Sequence, residues 1–284
     1  MIVDCHTRLW SAPEQMGVGA RQWLLRNSGT GNLRADSGDH GQAARGVDRT
    51  LVWGFRSQFL NAEIPNAYLA EYVAQRGAGF WAVAGVDPPE SDVMTRLENI
   101  SRRREFVGVT LSPAAGNFHP ADTRAMNVYA YCAHRGMPVF VESGIDLAPA
   151  APLEFARPWL YDEVARTFPN LTLVISQLGW PWVAETVALL GKQPRVYAEI
   201  GALLRRPWEA YQALLLAWQA GVADKLLFGS DFPFATAAMA MERLYRLNEP
   251  LRVTGLPAIP RELLRGIVER DCFAELGISP RGQA

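Results

Sequence analysis

The amino-acid sequence predicts a single (β/α)₈ TIM barrel, and two observations carry that prediction. Eight short apolar runs, rich in β-branched residues, are bounded by glycine, proline or charged residues, which is typical of buried parallel strands. Stretches with helical character separate most of these runs, so strands and helices alternate along the chain. A length of 284 residues is normal for one such barrel. A doubly wound open sheet is the main alternative.

Each predicted element follows from its local pattern. The predicted strands are Ile2–His6, Thr50–Phe55, Phe80–Val86, Phe106–Leu111, Pro138–Glu142, Leu171–Ser176, Arg195–Ile200 and Lys225–Ser230. The predicted helices are Ile64–Arg76, Ser91–Arg104, Thr123–Arg135, Pro158–Phe168, Val183–Leu190 and Trp208–Ala220. Ser91 and Asp122 are candidate N-caps. A final helix, roughly Arg261–Leu276, is expected to pack outside the barrel.

Long insertions follow two of the predicted strands. Trp10–Gly46 is a Gly-rich stretch after the first strand, and Ile145–Arg157 is a Pro/Ala-rich stretch after the fifth. Barrel active sites are built where the strands end, so each insertion is either a lid over a pocket or a surface excursion. Residues 1–284 are expected to form one domain that includes both insertions.

Composition excludes several classes of partner. The net charge of −1 gives no electrostatic reason to expect nucleic acid or an anionic membrane as a partner. Three widely spaced cysteines suggest neither a disulfide framework nor a zinc knuckle. No apolar run is long enough to span a bilayer, and the first residues lead into a strand rather than a signal peptide. We therefore expect a cytoplasmic protein that binds a small molecule, and self-association into a homo-oligomer stays open.

Five strand ends carry the polar residues that indicate function. They are Asp4–Arg8 (DCHTR), Val107–Thr110 (VGVT), Val141–Gly144 (VESG), Ile175–Gly179 (ISQLG) and Phe228–Pro233 (FGSDFP). Their order and spacing resemble the metal-ligand strands of the amidohydrolase superfamily. The resemblance covers essentially the whole chain. It is greatest to the amidohydrolase-related subgroup that includes aminocarboxymuconate-semialdehyde decarboxylase, resorcylate-type decarboxylases and pyrone-dicarboxylate lactonases.

The metal-ligand positions that this resemblance implies are largely rewritten. The family pattern is His-x-His, often a lysine on the fourth strand, then His, His and Asp, and only His6 and Asp231 match it. Arg8, Glu142 and Gln177 stand where the resemblance implies metal-binding histidines. Thr110 replaces the family lysine, which excludes two metals bridged by a carboxylated lysine.

Strand geometry predicts which side chains meet. Side chains alternate along a strand, so Asp4, His6 and Arg8 are expected on one face of the first strand. Cys5 is then expected to face away from the barrel interior, against a helix, as a poor nucleophile.

Two metal hypotheses follow from the rewritten positions. In the first, His6, Glu142 and Asp231 hold one divalent metal, with Gln177 as a weak ligand; this oxygen-rich set favours manganese or magnesium over zinc. In the second, which we favour, no cofactor is bound and Arg8 supplies the positive charge. Arg8 would then pair with Glu142, Asp231 or both, because a buried carboxylate left unpaired costs about 3–5 kcal/mol.

The resemblance to the subgroup's lactonases implies hydrolysis without a metal. Asp231 would be the general base that activates water, while Arg8, helped by His6, polarises the carbonyl. The alternatives are a metal-dependent hydrolase or decarboxylase and a barrel that only binds a small molecule or a partner.

Further side chains are expected to contact a flat cyclic or aromatic substrate. Trp53 and Trp180 are candidate platforms for its ring, although tryptophans more often serve packing. Glu142 and Gln177 are expected to line the same site. Arg205 and Arg206 either grip a substrate carboxylate or lie exposed on the surface.

Overall fold

Eight parallel strands form the wall of a barrel in the computed structural model, which describes residues 1–17, 34–143, 148–251 and 254–279. In their order around the sheet these strands are β1 (Val3–Thr7), β2 (Arg49–Trp53), β5 (Phe80–Gly85), β6 (Phe106–Leu111), β7 (Val139–Val141), β8 (Leu173–Ile175), β9 (Val196–Glu199) and β10 (Leu226–Leu227). Backbone hydrogen bonds join the last strand to the first. The amide of Cys5 donates to Phe228 O and that of Arg8 to Phe232 O, both at 3.0 Å. The predicted TIM barrel is confirmed.

Helices surround this wall and close one of its ends. They are α1 (Ser37–Ala43), α2 (Asn66–Arg76), α3 (Val93–Arg102), α4 (Pro113–Gly116), α5 (Thr123–Arg135), α6 (Tyr161–Thr167), α7 (Val183–Lys192), α8 (Pro207–Gln219), α9 (Ala237–Tyr245), α10 (Arg261–Glu269) and α11 (Cys272–Leu276). A separate antiparallel hairpin is formed by β3 (Phe55–Ser57) and β4 (Ala62–Ile64). None of the helices in the described ranges has the length and apolarity that crossing a membrane requires.

Several predicted boundaries are confirmed and others are not. Phe106–Leu111 and Thr123–Arg135 agree to the residue, and Asp122 caps α5 by accepting the amide of Arg124. Ser91 is not a cap, because α3 begins one residue later, after Asp92. The predicted strand Thr50–Phe55 breaks at Gly54, where a Cβ atom would lie 2.4 Å from Gly85 N.

An apolar core fills the inside of the barrel. Its members are side chains from all eight parallel strands, from α11 and from the residues just after α11. The buried ones are Val3, Cys5, Leu51, Trp53, Val83, Phe140, Val174, Leu227, Cys272, Phe273, Leu276 and Ile278. Trp81 of β5 and Phe273 of α11 meet edge-on with their ring centroids 4.9 Å apart. The predicted C-terminal helix consists of two helices, α10 and α11. Of these, α11 closes the end of the barrel where the strands begin.

The alternation expected along β1 is broken. The pairing of β1 with β2 shifts register between Asp4 and Thr7. Cys5 belongs to the interior core, beside Cys272 of α11, so the expectation that it faces away from the barrel interior is wrong. Thr7 instead contacts the outer layer, where its hydroxyl lies 2.8 Å from His40 Nε2. Burial raises the pKa of the Cys5 thiol, which keeps it protonated and unreactive.

The outer layer also contains part of the insertion after β1. His40 of α1 is fully buried, with Nε2 2.8 Å from Thr7 Oγ1 and Nδ1 2.5 Å from Tyr72 OH. This end of the insertion is thus a packed barrel helix. Residues 18–33, on which the lid hypothesis for Trp10–Gly46 chiefly depends, lie outside the described residues, so the lid stays a prediction.

Candidate active site

A buried pair, His6 and Glu199, lies at the C-terminal end of the barrel. His6 Nδ1 is 2.9 Å from Glu199 Oε1, and both side chains are almost completely buried. Backbone amides also donate to this carboxylate, Gln177 N to Oε1 at 2.5 Å and Gly201 N to Oε2 at 2.6 Å. The left-handed backbone of Gln177, with φ of 54°, belongs to the turn that presents its amide. Glu199 thereby links the end of β8, its own strand β9 and β1.

The charge state of Glu199 determines which nitrogen of His6 donates the hydrogen bond between them. Burial alone would raise the pKa of Glu199, but His6 and the amides of Gly201 and Gln177 outweigh it and hold that pKa below its usual value. An ionised carboxylate only accepts hydrogen bonds. His6 Nδ1 must therefore carry the hydrogen that it shares with Glu199. In neutral His6, Nε2 then has a free lone pair and faces away from Glu199.

Asp231 lies beside this pair at the end of the last strand. Its amide donates to His6 O at 3.0 Å, and its own backbone is left-handed with φ of 59°. Arg205 Nη2 is 3.2 Å from Asp231 Oδ2. Burial raises the pKa of Asp231, although Arg205, His6 and Arg8 oppose that shift. A buried carboxylate with a raised pKa is suited to accepting a proton.

A second ion pair joins Arg8 and Glu142. Their side chains are in direct contact and keep 14% and 18% of their surface exposed, so both still reach the open end of the barrel. Arg8 therefore pairs with Glu142, whereas the ion-pair partner of Asp231 is Arg205. Glu142 and Asp231 thus each face a guanidinium, whereas Glu199 faces His6.

Asp4 holds the ends of the first and last strands together. Its Oδ1 accepts the amides of Ser230 at 2.8 Å and His6 at 3.4 Å. Burial raises the pKa of Asp4 to about 6, partly offset by the hydrogen bond from Ser230. These contacts place Asp231 next to His6.

Aromatic rings support the site in two different ways. The Arg206 guanidinium lies 4.0 Å above the ring of Trp180, and that of Arg205 lies 4.3 Å above Phe234. Such stacking holds the two arginines in place. Trp53 is fully buried, stacks on His6 at 4.0 Å and donates to Cys5 O, so it has no surface left for a substrate.

Comparison with known proteins identifies the family. The family model described as Amidohydrolase matches residues 3–270. This chain belongs to the amidohydrolase family. None of the curated proteins with which it was compared matches it.

Solved structures share the fold of this amidohydrolase over nearly its full length. A TIM-barrel protein from Bordetella bronchiseptica, described as uncharacterized, is 22% identical with a TM-score of 0.68, over 97% of this chain and 99% of its own. A probable 2-pyrone-4,6-dicarboxylic acid hydrolase from Acinetobacter baumannii is 14% identical with a TM-score of 0.68, over 98% and 99%. A 2,6-dihydroxybenzoate decarboxylase is 13% identical with a TM-score of 0.65, over 97% and 98%. At these identities the likeness concerns the fold.

A divalent cation does not fit the charged side chains of this amidohydrolase. Within the described ranges, no three His, Cys, Asp or Glu side chains form a group that could hold a metal ion. The three metal ligands that the sequence suggested do not form one group. His6 bonds to Glu199, while Glu142 and Asp231 each face an arginine. A guanidinium beside each carboxylate repels a cation and satisfies the charge that a metal would neutralise.

The structure gathers most of the predicted site residues. His6, Arg8, Glu142, Arg205 and Asp231 lie at one end of the barrel. The alternative that Arg205 and Arg206 lie exposed is wrong, because their side chains keep only 15% and 27% of their surface.

Sequence reasoning missed Glu199. Its signal was a single acidic residue at the end of an otherwise apolar strand, where a charged side chain has no structural reason to be buried.

Proposed function

We propose that this amidohydrolase is a metal-independent hydrolase of a small cyclic or aromatic carboxylate or lactone. The observation that carries the proposal is the pairing of Arg8 with Glu142 and of Arg205 with Asp231. These pairs put fixed positive charge next to a buried carboxylate that can accept a proton. Hydrolysis needs both a base for water and a cation for the carbonyl oxygen.

Asp231 is the general base in this scheme. It removes one proton from water while the water oxygen bonds to the carbonyl carbon. The tetrahedral intermediate then collapses, its carbon–oxygen bond to the leaving group breaks, and the proton held by Asp231 passes to the leaving oxygen. Burial supports this role, because it raises the pKa of Asp231 and so strengthens it as a base.

Arg8 stabilises the oxyanion that forms on the carbonyl oxygen. A guanidinium has five N–H donors, so Arg8 can keep its contact with Glu142 and still donate to a substrate. When His6 is neutral, it gives its Nδ1 hydrogen to Glu199 and has no hydrogen on Nε2 to donate to a carbonyl. In that state the polarising role belongs to Arg8.

Arg205, Arg206 and Trp180 favour a flat anionic substrate. Arg206 lies over the Trp180 ring, with Arg205 next to it along the chain and paired with Asp231. A planar carboxylate matches the planar fork of a guanidinium, and a flat ring matches an indole.

Metal analysis followed by a substrate panel tests the proposal. Protein purified without chelator, and again after manganese or zinc supplementation, is expected to contain no stoichiometric metal. Wild type is expected to hydrolyse members of a lactone and ester panel, and Asp231→Asn to lose about 10²–10⁴-fold in kcat. Asp162→Asn is the matched control, because Asp162 pairs with Lys192 on the outside of the barrel.

The opposite results point to the alternatives. A stoichiometric metal that disappears in Asp231→Asn or Glu142→Gln would replace this proposal with a metal-dependent hydrolase or decarboxylase. Ligand binding that Asp231→Asn leaves unchanged, without turnover in wild type, would indicate a barrel that only binds.

A further inference from the structure

Glu199 reaches His6 across an intervening strand. Glu199 ends β9, His6 lies on β1, and β10 runs between these two strands. Gly229, just after β10, lies under the contact: a Cβ atom there would be 2.9 Å from both Glu199 Oε2 and His6 Cβ. Any larger residue would separate the two side chains, so the contact depends on this glycine.

Three hydrogen-bond donors surround the side chain of Glu199, so both of its oxygens must be acceptors. Gln177 N and His6 Nδ1 both point at Oε1, while Gly201 N points at Oε2. Three donors are satisfied only by a carboxylate, because an amide in its place would turn its NH₂ group toward one of them. The isosteric Glu199→Gln change therefore removes a hydrogen bond with little change in shape.

We propose that Glu199 is a positioning residue that fixes neutral His6 as the Nδ1–H tautomer, so that Nε2 accepts a hydrogen bond from the water that Asp231 deprotonates. This inference rests on the proposed hydrolysis. Two acceptors, Nε2 and the Asp231 carboxylate, hold both hydrogens of one water and so direct its lone pair at the carbonyl carbon. Asp231 takes the proton, and His6 keeps its own.

His40 provides an internal reference for the test. Thr7 Oγ1 donates to Leu51 O, so it accepts a hydrogen from His40 Nε2. His40 Nδ1 then accepts from the hydroxyl of Tyr72. His40 is expected in the Nε2–H tautomer and His6 in the opposite one. The chain has four histidines, so their nitrogen signals can be resolved in one spectrum.

Nitrogen-15 NMR of the histidine side chains, at mildly alkaline pH, tests the proposal without requiring a substrate. In wild type, His6 is expected to give a protonated Nδ1 signal and an unprotonated Nε2 signal. Glu199→Gln and Gly229→Ala are expected to mix or reverse the His6 tautomers while the His40 signals stay unchanged. Gly266→Ala is the control for the second variant, because a Cβ atom there meets nothing within 4 Å.

Kinetics with a substrate from the panel gives the second measurement. Glu199→Gln and Gly229→Ala are each expected to lower kcat by about 10²-fold with little change in KM, because neither residue touches the substrate. A wild-type His6 that carries its hydrogen on Nε2, or a Glu199→Gln protein with unchanged tautomer and kcat, would overturn the proposal.

The two measurements separate this inference from the proposed function. The expected tautomers without hydrolysis of any panel member would contradict hydrolysis, and the water-positioning role with it, but leave the tautomer assignment standing. Hydrolysis by a protein whose His6 has the other tautomer would contradict the role of Glu199 and leave hydrolysis standing.

Discussion

The two ends of the barrel differ in chemistry although the same eight strands form both. Where the strands begin, Phe273 and Leu276 of α11 pack on apolar interior side chains and close the barrel. Where the strands end, His6, Arg8 and Asp231 lie in ion pairs and hydrogen bonds. The apolar end can bury its surface completely, whereas the charged end must keep partners for each group. We infer that the apolar end contributes mainly stability, whereas the proposed hydrolysis takes place at the charged end.

The largest effect is expected from Asp231→Asn at the charged end. It should lower kcat by about 10²–10⁴-fold, because the amide cannot accept the proton from water, and it should also lower stability because Arg205 loses its carboxylate partner. Turnover and thermal unfolding measured on the same preparation test the contrast. If Asp231→Asn unfolded at a lower temperature but kept the wild-type kcat when folded, the charged end would contribute stability and not reactivity.

Phe273→Ala should show the opposite pattern at the apolar end. Removing this fully buried ring from beside Trp81 is expected to lower the free energy of unfolding by about 3–5 kcal/mol. Because the ring is at the far end of the barrel from Asp231, kcat of the folded protein should not change. Denaturant unfolding and steady-state kinetics provide the two values, and a loss of kcat would show that the ends are coupled.

Arg8→Gln distinguishes a catalytic from a structural role of the Arg8 charge at the charged end. We expect kcat to fall about 10²-fold or more because the oxyanion loses its cation. Glu142 is then unpaired, which lowers stability. Adding Glu142→Gln should restore stability but not kcat. If the double variant regained turnover, the guanidinium of Arg8 would have only a structural role.

The effect of His40 concerns the outside of the wall and develops only below about pH 6.5. Burial, together with the nearby charge of Arg76, lowers the pKa of His40 to about 3 from an ordinary value of 6.5. Between these values the unfolded chain binds a proton that the folded chain does not. The stability from neutral His40 is complete above about pH 6.5 and is lost as the pH falls toward 3, by about 1.4 kcal/mol per pH unit.

The His40 contribution is measured as a difference between two proteins. The carboxyls of Asp4 and Asp87, whose pKa values burial raises to about 6, change stability with the opposite sign. Subtracting the pH dependence of His40→Gln from that of wild type isolates the histidine. His134→Gln, which replaces an exposed histidine, should leave the pH dependence unchanged, and a flat difference for His40→Gln would contradict the low pKa.

The sequence by itself determined the barrel. Apolar runs such as Phe106–Leu111 must be buried on both faces, and only strands covered by helices achieve that. It also placed His6, Arg8, Glu142 and Asp231 at one end, because parallel strands end on the same side.

Only the tertiary structure decided which groups meet. Arg8 pairs with Glu142, and Arg205 pairs with Asp231, whereas the sequence left the partner of Arg8 open. Glu199 reaches His6 over Gly229, and a register shift in β1 turns Cys5 inward. These contacts depend on the stagger between neighbouring strands and on space that a single methyl group would fill, as at Gly229. Local residue patterns carry no information about either.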